Sequence, residues 1–206
     1  MSKLSRIVLC VLMLISYTAP AICAVVDYAR DQKACGVPEQ AYMKWINMYL
    51  TIFTNLTVPE VLTVMDIESQ FNEKLITLEP SVHDKSCGPM QVRIKTARGL
   101  GLKGDWHQLC TWQIGLYYGM KYLSQSKKRA LHSTHNSLVA RKRTWAGYNA
   151  GNYYLIRLAT GEWTYLNNGY VKKCEHVYVK YANAKAKAKG KVQLADTTAF
   201  QVVIKS

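Results

Sequence analysis

Several signals that would assign a chemistry at once are missing from this chain. No two cysteines stand in a CxxC arrangement, and the five histidines (His83, His107, His132, His135 and His176) form no HExxH pattern. Zinc, which needs such closely spaced ligand pairs, is therefore not expected. No phosphate-binding loop or dinucleotide fingerprint is present, so nucleotide cofactors are not expected either. Self-similarity at 20–50 residues is missing, which excludes a solenoid or propeller. Acidic residues are scarce, with 13 Asp and Glu against 27 Lys and Arg. Alternating strand patterns are scarce too, and from Cys35 to about Ala184 no Pro/Ser/Gly-rich linker interrupts the composition.

What is present is enough for one sizeable core, with 49% hydrophobic residues in a chain of 206. The chain opens with Lys3 and Arg6, then an unbroken apolar run from Ile7 to Ile15, then Pro20 and small residues to Ala24. That is the layout of a secretory signal peptide, read here as residues 1–23. The run has nine residues, whereas a spanning helix needs about 20. Loss of the leader leaves 25 basic and 13 acidic residues, a net of +12. Such a surplus draws a protein towards polyanions. For an exported protein these are wall polymer and membrane surface, and nucleic acid is not expected. Cys35, Cys87, Cys110 and Cys174 would remain, an even number that reads as two disulfides with the pairing open.

Apolar spacing is mostly helical. It predicts helices over residues 39–54, 58–71, 94–100, 110–126, 137–146, Tyr153–Leu158 and Tyr170–Tyr181. Thr57 with Glu60 three residues on makes a capping-box signature, and Pro59 suits a first turn. The expected domain is 24–184, mainly α with little sheet, followed by a basic solvated tail, 185–206, that could tether the protein to wall or membrane. The basic clusters Lys127-Lys128-Arg129 and Arg141-Lys142-Arg143 read as solvated faces, the pair His132/His135 as loop, and Trp106, Trp112, Trp145 and Trp163 as core more than as sugar platforms.

One carboxyl stands out. Glu68 lies seven residues after Val61 and three after Met65, on the stripe of its helix that faces the core. Asp66 points elsewhere. Apolar surroundings disfavour the ionised form and raise a carboxyl's pKa, which suits a general acid near neutral pH.

Glu68-Ser69 is followed by Cys87-Gly88-Pro89-Met90-Gln91, Thr96-Ala97, Ala146-Gly147-Tyr148-Asn149-Ala150-Gly151 and Tyr170-Val171. In this ordered set the chain resembles the lytic transglycosylase family, whose motifs are Glu-Ser, Gly-Leu-Met-Gln, Thr-Ala, Ala-Tyr-Asn-Ala-Gly and Tyr-Val. The resemblance runs from about Val58 to Tyr181. Pro89 replaces a leucine, and Gly147 is inserted before Tyr148. The resemblance implies a single goose-lysozyme-like transglycosylase domain of the α+β lysozyme-like superfamily, acting as a monomer on peptidoglycan strands without metal or cofactor. It implies Glu68 as the catalytic acid and base, and Ser69 as a support for its orientation. Met90 and Gln91 would line the sugar groove, with the Gly88 backbone making room for substrate. Tyr148 and Asn149 would face Glu68 across the cleft, and Tyr170 would hydrogen-bond near its carboxyl. The implied reaction cuts between N-acetylmuramic acid and N-acetylglucosamine, closing the muramic C6 hydroxyl into a 1,6-anhydro ring. Two other readings stay open. One is a hydrolytic lysozyme with Asp84 as second carboxylate, and the other a non-catalytic wall-binding protein. Cys87 reads as a disulfide half stiffening the turn before Gly88.

Overall fold

The computed structural model describes residues 40–151 and 169–188. The expected leader, Cys35, the expected helix over Tyr153–Leu158, Trp163 and residues 189–206 lie outside the described residues. Six α-helices and a three-stranded sheet are described: α1 (Gln40–Leu50), α2 (Val58–Ser69), β1 (Ile76–Glu79), β2 (Asp84–Cys87), β3 (Val92–Arg93), α3 (Ile94–Gly99), α4 (Trp112–Ser133), α5 (Ser137–Ala150) and α6 (Gly169–Ala188). Short 3-10 turns cover Pro80–Val82 and Trp106–Cys110. The chain divides into two compact units. Cys35–Tyr178 holds all of these elements up to the middle of α6, and Val179–Ala188, the rest of that helix, falls in the other unit. Among the described residues no helix is long and apolar enough to cross a membrane.

The mainly α expectation is met, and most helix positions agree with the apolar spacing. The long α4 runs seven residues past its expected end, to Ser133. His132 is therefore in a helical last turn, and only His135 falls in the connection to α5. The apolar stripe of α4 (Leu116, Met120, Leu123) is fully buried, and α4 packs most extensively on α5. At the start of α2, Glu60 Oε2 accepts from both the Thr57 backbone N–H and its hydroxyl, each at 2.8 Å. This is the reach-back half of a capping box.

The basic clusters are solvated only in part: Lys128 and Arg129 are exposed as expected, while the other four cations are engaged. Lys127 Nζ meets Glu60 Oε1 at 2.5 Å with both side chains largely buried, which ties α4 to α2. Arg143 is buried and donates to the Ser133 carbonyl and hydroxyl, each at 2.7 Å. Arg141 lies over Tyr178, 4.2 Å from the ring centre, and Lys142 pairs with Glu175 at 3.0 Å. Adjacent residues on a helix point about 100° apart, so a run of three cations cannot share one solvent face.

The sheet was not located by the alternation pattern. Its order is β1-β2-β3, antiparallel throughout, with Ile76 opposite Cys87, Thr77 opposite Ser86, Leu78 opposite Lys85, and Ser86 opposite Arg93. Side chains alternate across a pleat, so Thr77, Ser86 and Arg93 share one face while Leu78 and Lys85 share the other.

One disulfide joins Cys87 to Cys110. It fastens the end of β2 to the turn ahead of α4. Among the described residues Cys174 is a free, buried thiol, and Cys35, the fourth cysteine of the two disulfides expected, lies outside them.

Candidate active site

Glu68 stands on the last turn of α2. Val61, Leu62, Val64 and Met65 of that helix are buried and set its rotation. The helix stops abruptly, because Gln70 and Phe71 are both left-handed, with φ of 50° and 62°. The Gln70 N–H returns to the Asp66 and Met65 carbonyls, closing the end. Glu68 itself is half-buried, and Tyr170 on α6 donates a hydrogen bond to its Oε1 at 2.6 Å.

These surroundings push the Glu68 pKa up to about 7. Burial is the largest cause; the Tyr170 hydrogen bond pulls the other way, and the negative charge of Glu79 adds to the rise. A carboxyl so placed is half protonated at neutral pH and can serve as acid and then base. The Tyr170 and Tyr148 hydroxyls are raised well above their usual value, first by burial and then by the Glu68 charge. Both remain O–H donors at any pH at which Glu68 titrates.

The carboxyl opens into a cleft of about 410 Å³. Its other walls carry Glu79, Arg93, Gln91, Tyr122, Tyr148 and Asn149. The sheet supplies one wall through the face bearing Thr77, Ser86 and Arg93. Gln91 braces that wall. Its amide nitrogen donates to the Leu75 and Gly88 carbonyls at 2.8 and 2.9 Å, and its Oε1 accepts from Thr77 and Ser86 at 2.8 and 3.1 Å. Glu79 is held by Arg93 at 2.7 Å. Another wall comes from α5, where Tyr148 donates to the Met90 carbonyl at 2.6 Å, and from α4, whose Tyr122 lies 5.2 Å from Tyr148, ring to ring.

The residues singled out in the sequence divide into two groups. Glu68, Gln91, Tyr148 and Asn149 share the cleft, and Tyr170 reaches the carboxyl from α6. The others stand behind the walls. Met90 is fully buried and packs on Gly119, where a Cβ would fall 2.5 Å from its sulfur. Only its carbonyl is turned towards Tyr148. Gly88, at φ +87°, makes room for protein rather than substrate, since a Cβ there would lie 1.9 Å from the Leu109 carbonyl oxygen. Ser69 does not touch Glu68. Its hydroxyl donates to Pro89 O at 2.8 Å and to Met65 O at 3.2 Å, pinning the helix end to the Gly88–Gln91 turn.

Asp84 lies at a separate hollow and accepts from the backbone N–H groups of Lys85 and Lys95, at 2.8 and 3.3 Å. The second carboxylate in the Glu68 cleft is Glu79, which the sequence reading missed together with Arg93, Thr77, Ser86 and Tyr122. A two-residue alternation, Thr77/Glu79, was the only available signal. Trp112 and Trp145 are buried, in keeping with core roles, while Trp106 is half-buried at the separate hollow. Among the described residues no group of three or more His, Cys, Asp or Glu could hold a metal ion.

Comparisons with protein-family models, curated proteins and solved structures find no match to this chain.

Proposed function

We propose that the protein cleaves the β-1,4 bond between N-acetylmuramic acid and N-acetylglucosamine in peptidoglycan, as a lytic transglycosylase with a lysozyme-like domain and Glu68 as its acid and base. One observation carries this reading. A half-buried carboxyl whose pKa lies near 7 opens into a polar cleft and is held by a tyrosine that stays protonated. Protonated Glu68 donates to the bridging oxygen as the glycosidic bond breaks. The resulting carboxylate keeps the Tyr170 hydrogen bond and then takes the proton of the muramic C6 hydroxyl. That oxygen closes on C1, so no water is consumed.

The state of Glu79 favours this route over hydrolysis. Ordinary glycosidases need a second carboxylate as nucleophile or base. Glu79 is tied to Arg93 by an ion pair and Asp84 faces another hollow. The disulfide fits export to an oxidising compartment, and the excess of 27 basic over 13 acidic residues fits an anionic wall.

The test is digestion of purified sacculi followed by mass spectrometry. An anhydro product, lighter by one water than the hydrolytic one, is the expected result. Glu68→Gln should lower the rate by about 10²–10⁴-fold. Full activity in that variant, or wall binding without turbidity loss by the native chain, would overturn the reading.

A further inference from the structure

A second hollow, of about 420 Å³, lies on the other side of the small sheet. Leu78 and Lys85, cross-strand partners on the face turned away from the cleft, form its floor. Pro80, Ile94 and Trp106 add apolar surface, and Lys95 and Arg98 stand beside them. Leu78 is 64% exposed although it is a large aliphatic residue in a strand. Glu79 lines both this hollow and the Glu68 cleft, so the two meet at the end of β1.

The hollow carries a surplus of cations, with Lys85, Lys95 and Arg98 against Asp84 and Glu79. Asp84 accepts from two backbone N–H groups, and Glu79 is paired with Arg93. No ion pair among the described residues involves Lys85, Lys95 or Arg98. Two of these cations are already held in place. The Lys85 ammonium lies 5.1 Å from the centre of the Trp106 ring, which itself stacks on His107 at 3.8 Å. Lys95 Nζ donates to the Val82 carbonyl at 2.9 Å. Cations ordered beforehand lose little entropy when an anion arrives.

We propose that this hollow binds the acidic peptide side chain of a peptidoglycan strand whose glycan lies in the Glu68 cleft. The inference rests on the proposed wall-cleaving function, because the polymer cut there carries peptide branches on its glycan. Small apolar side chains of the peptide pack on Leu78, Pro80 and Ile94, and its carboxylates meet Lys85, Lys95 and Arg98. The junction at Glu79 lets one branched polymer occupy both sites. An anionic lipid surface offers the same charge, but a concave hollow of this size admits a chain and not a flat bilayer.

The test uses the full chain and the double variant Lys85→Glu/Arg98→Glu, both surface positions outside the cleft. First, a synthetic acidic wall-type tetrapeptide is titrated against each protein by calorimetry. Exposed ion pairs are individually weak, so reversing two cations together should weaken binding about tenfold. Second, kcat and KM are compared on peptide-bearing glycan and on glycan stripped of peptide by an amidase. The native protein should show a KM about tenfold lower on the peptide-bearing strand. The variant should lose that preference while keeping kcat on stripped glycan. The proposal is overturned if the peptide does not bind, if the variant binds it as tightly, or if the charge reversal alters binding only to phosphatidylglycerol vesicles. Failure of the wall-cleaving reading looks different: neither glycan is cut, whatever the peptide titration gives.

Discussion

Tyr170→Phe is the sharpest probe of the site, because it deletes one hydroxyl and keeps the ring that fills the space. In the native protein that hydroxyl donates to Glu68 Oε1 at 2.6 Å and works against the burial that raises the carboxyl to about 7. A hydrogen bond to a charged group contributes about 1.5–3 kcal/mol, and one pH unit of titration corresponds to about 1.36 kcal/mol. Taking the lower end for a half-buried group, the Glu68 titration should move up by about one pH unit in the variant. Cleavage requires the protonated acid, so the alkaline limb of the rate profile should follow. In the native protein that limb should have its midpoint near pH 7. At pH 8 the protonated fraction should rise from roughly one tenth to roughly one half on losing the hydroxyl. At pH 5 both proteins are protonated, and the variant should be slower because the carboxyl is less well oriented and the carboxylate formed during reaction has lost a donor. The ratio of variant to native rate should therefore climb with pH. Initial rates on labelled glycan strands between pH 5 and 9 give this directly. An alkaline limb that stays put, or moves down, would refute the account of what sets the Glu68 proton affinity.

Three further outcomes follow from other parts of the structure. Glu68 is raised from 4.5 to about 7 on folding, so its contribution to stability is full below about pH 4.5 and is lost as pH rises through about 7. Glu68→Gln should accordingly raise the unfolding free energy obtained from urea titration at pH 8 by an amount on the order of 1–3 kcal/mol, and leave it nearly unchanged at pH 4. Replacing both Cys87 and Cys110, 23 residues apart, by serine should cost roughly 3 kcal/mol in denaturant unfolding, and a stability equal to the native one would count against the bond. Gly88→Ala forces a Cβ to 1.9 Å from the Leu109 carbonyl at a left-handed φ, so it should cost about 3 kcal/mol or more and lower the thermal midpoint.

The sequence disclosed the helices well and the cleft partly, and the reasons differ. Helices such as α2 and α4 carry four or more apolar residues at helical spacing, and burial of that stripe decides their orientation. Glu68 was legible because a carboxyl three and seven positions from buried neighbours can only stand at the edge of the same stripe. The sheet was hidden because its strands span two to four residues and pair by contacts across the chain, which no local period records. That concealed Glu79 and Arg93. Met90 and Gly88 were misplaced for another reason. Their positions are demanded by Gly119 and by the Leu109 carbonyl, partners 29 and 21 residues away in the chain. Lys127 looked solvated for the same reason, since its partner Glu60 lies 67 residues earlier.

The abrupt stop of α2 after Ser69 has an electrical side. Aligned peptide dipoles leave partial negative charge at the C-terminal pole of a helix, felt only within the last turn. Glu68 sits inside that turn, so the backbone itself opposes its ionisation by about 0.3–1 kcal/mol. Part of its hold on the proton is thus fixed by where the coil ends. No exchange of neighbouring side chains at Glu79 or Tyr170 can remove that share, whereas lengthening the coil by a turn would.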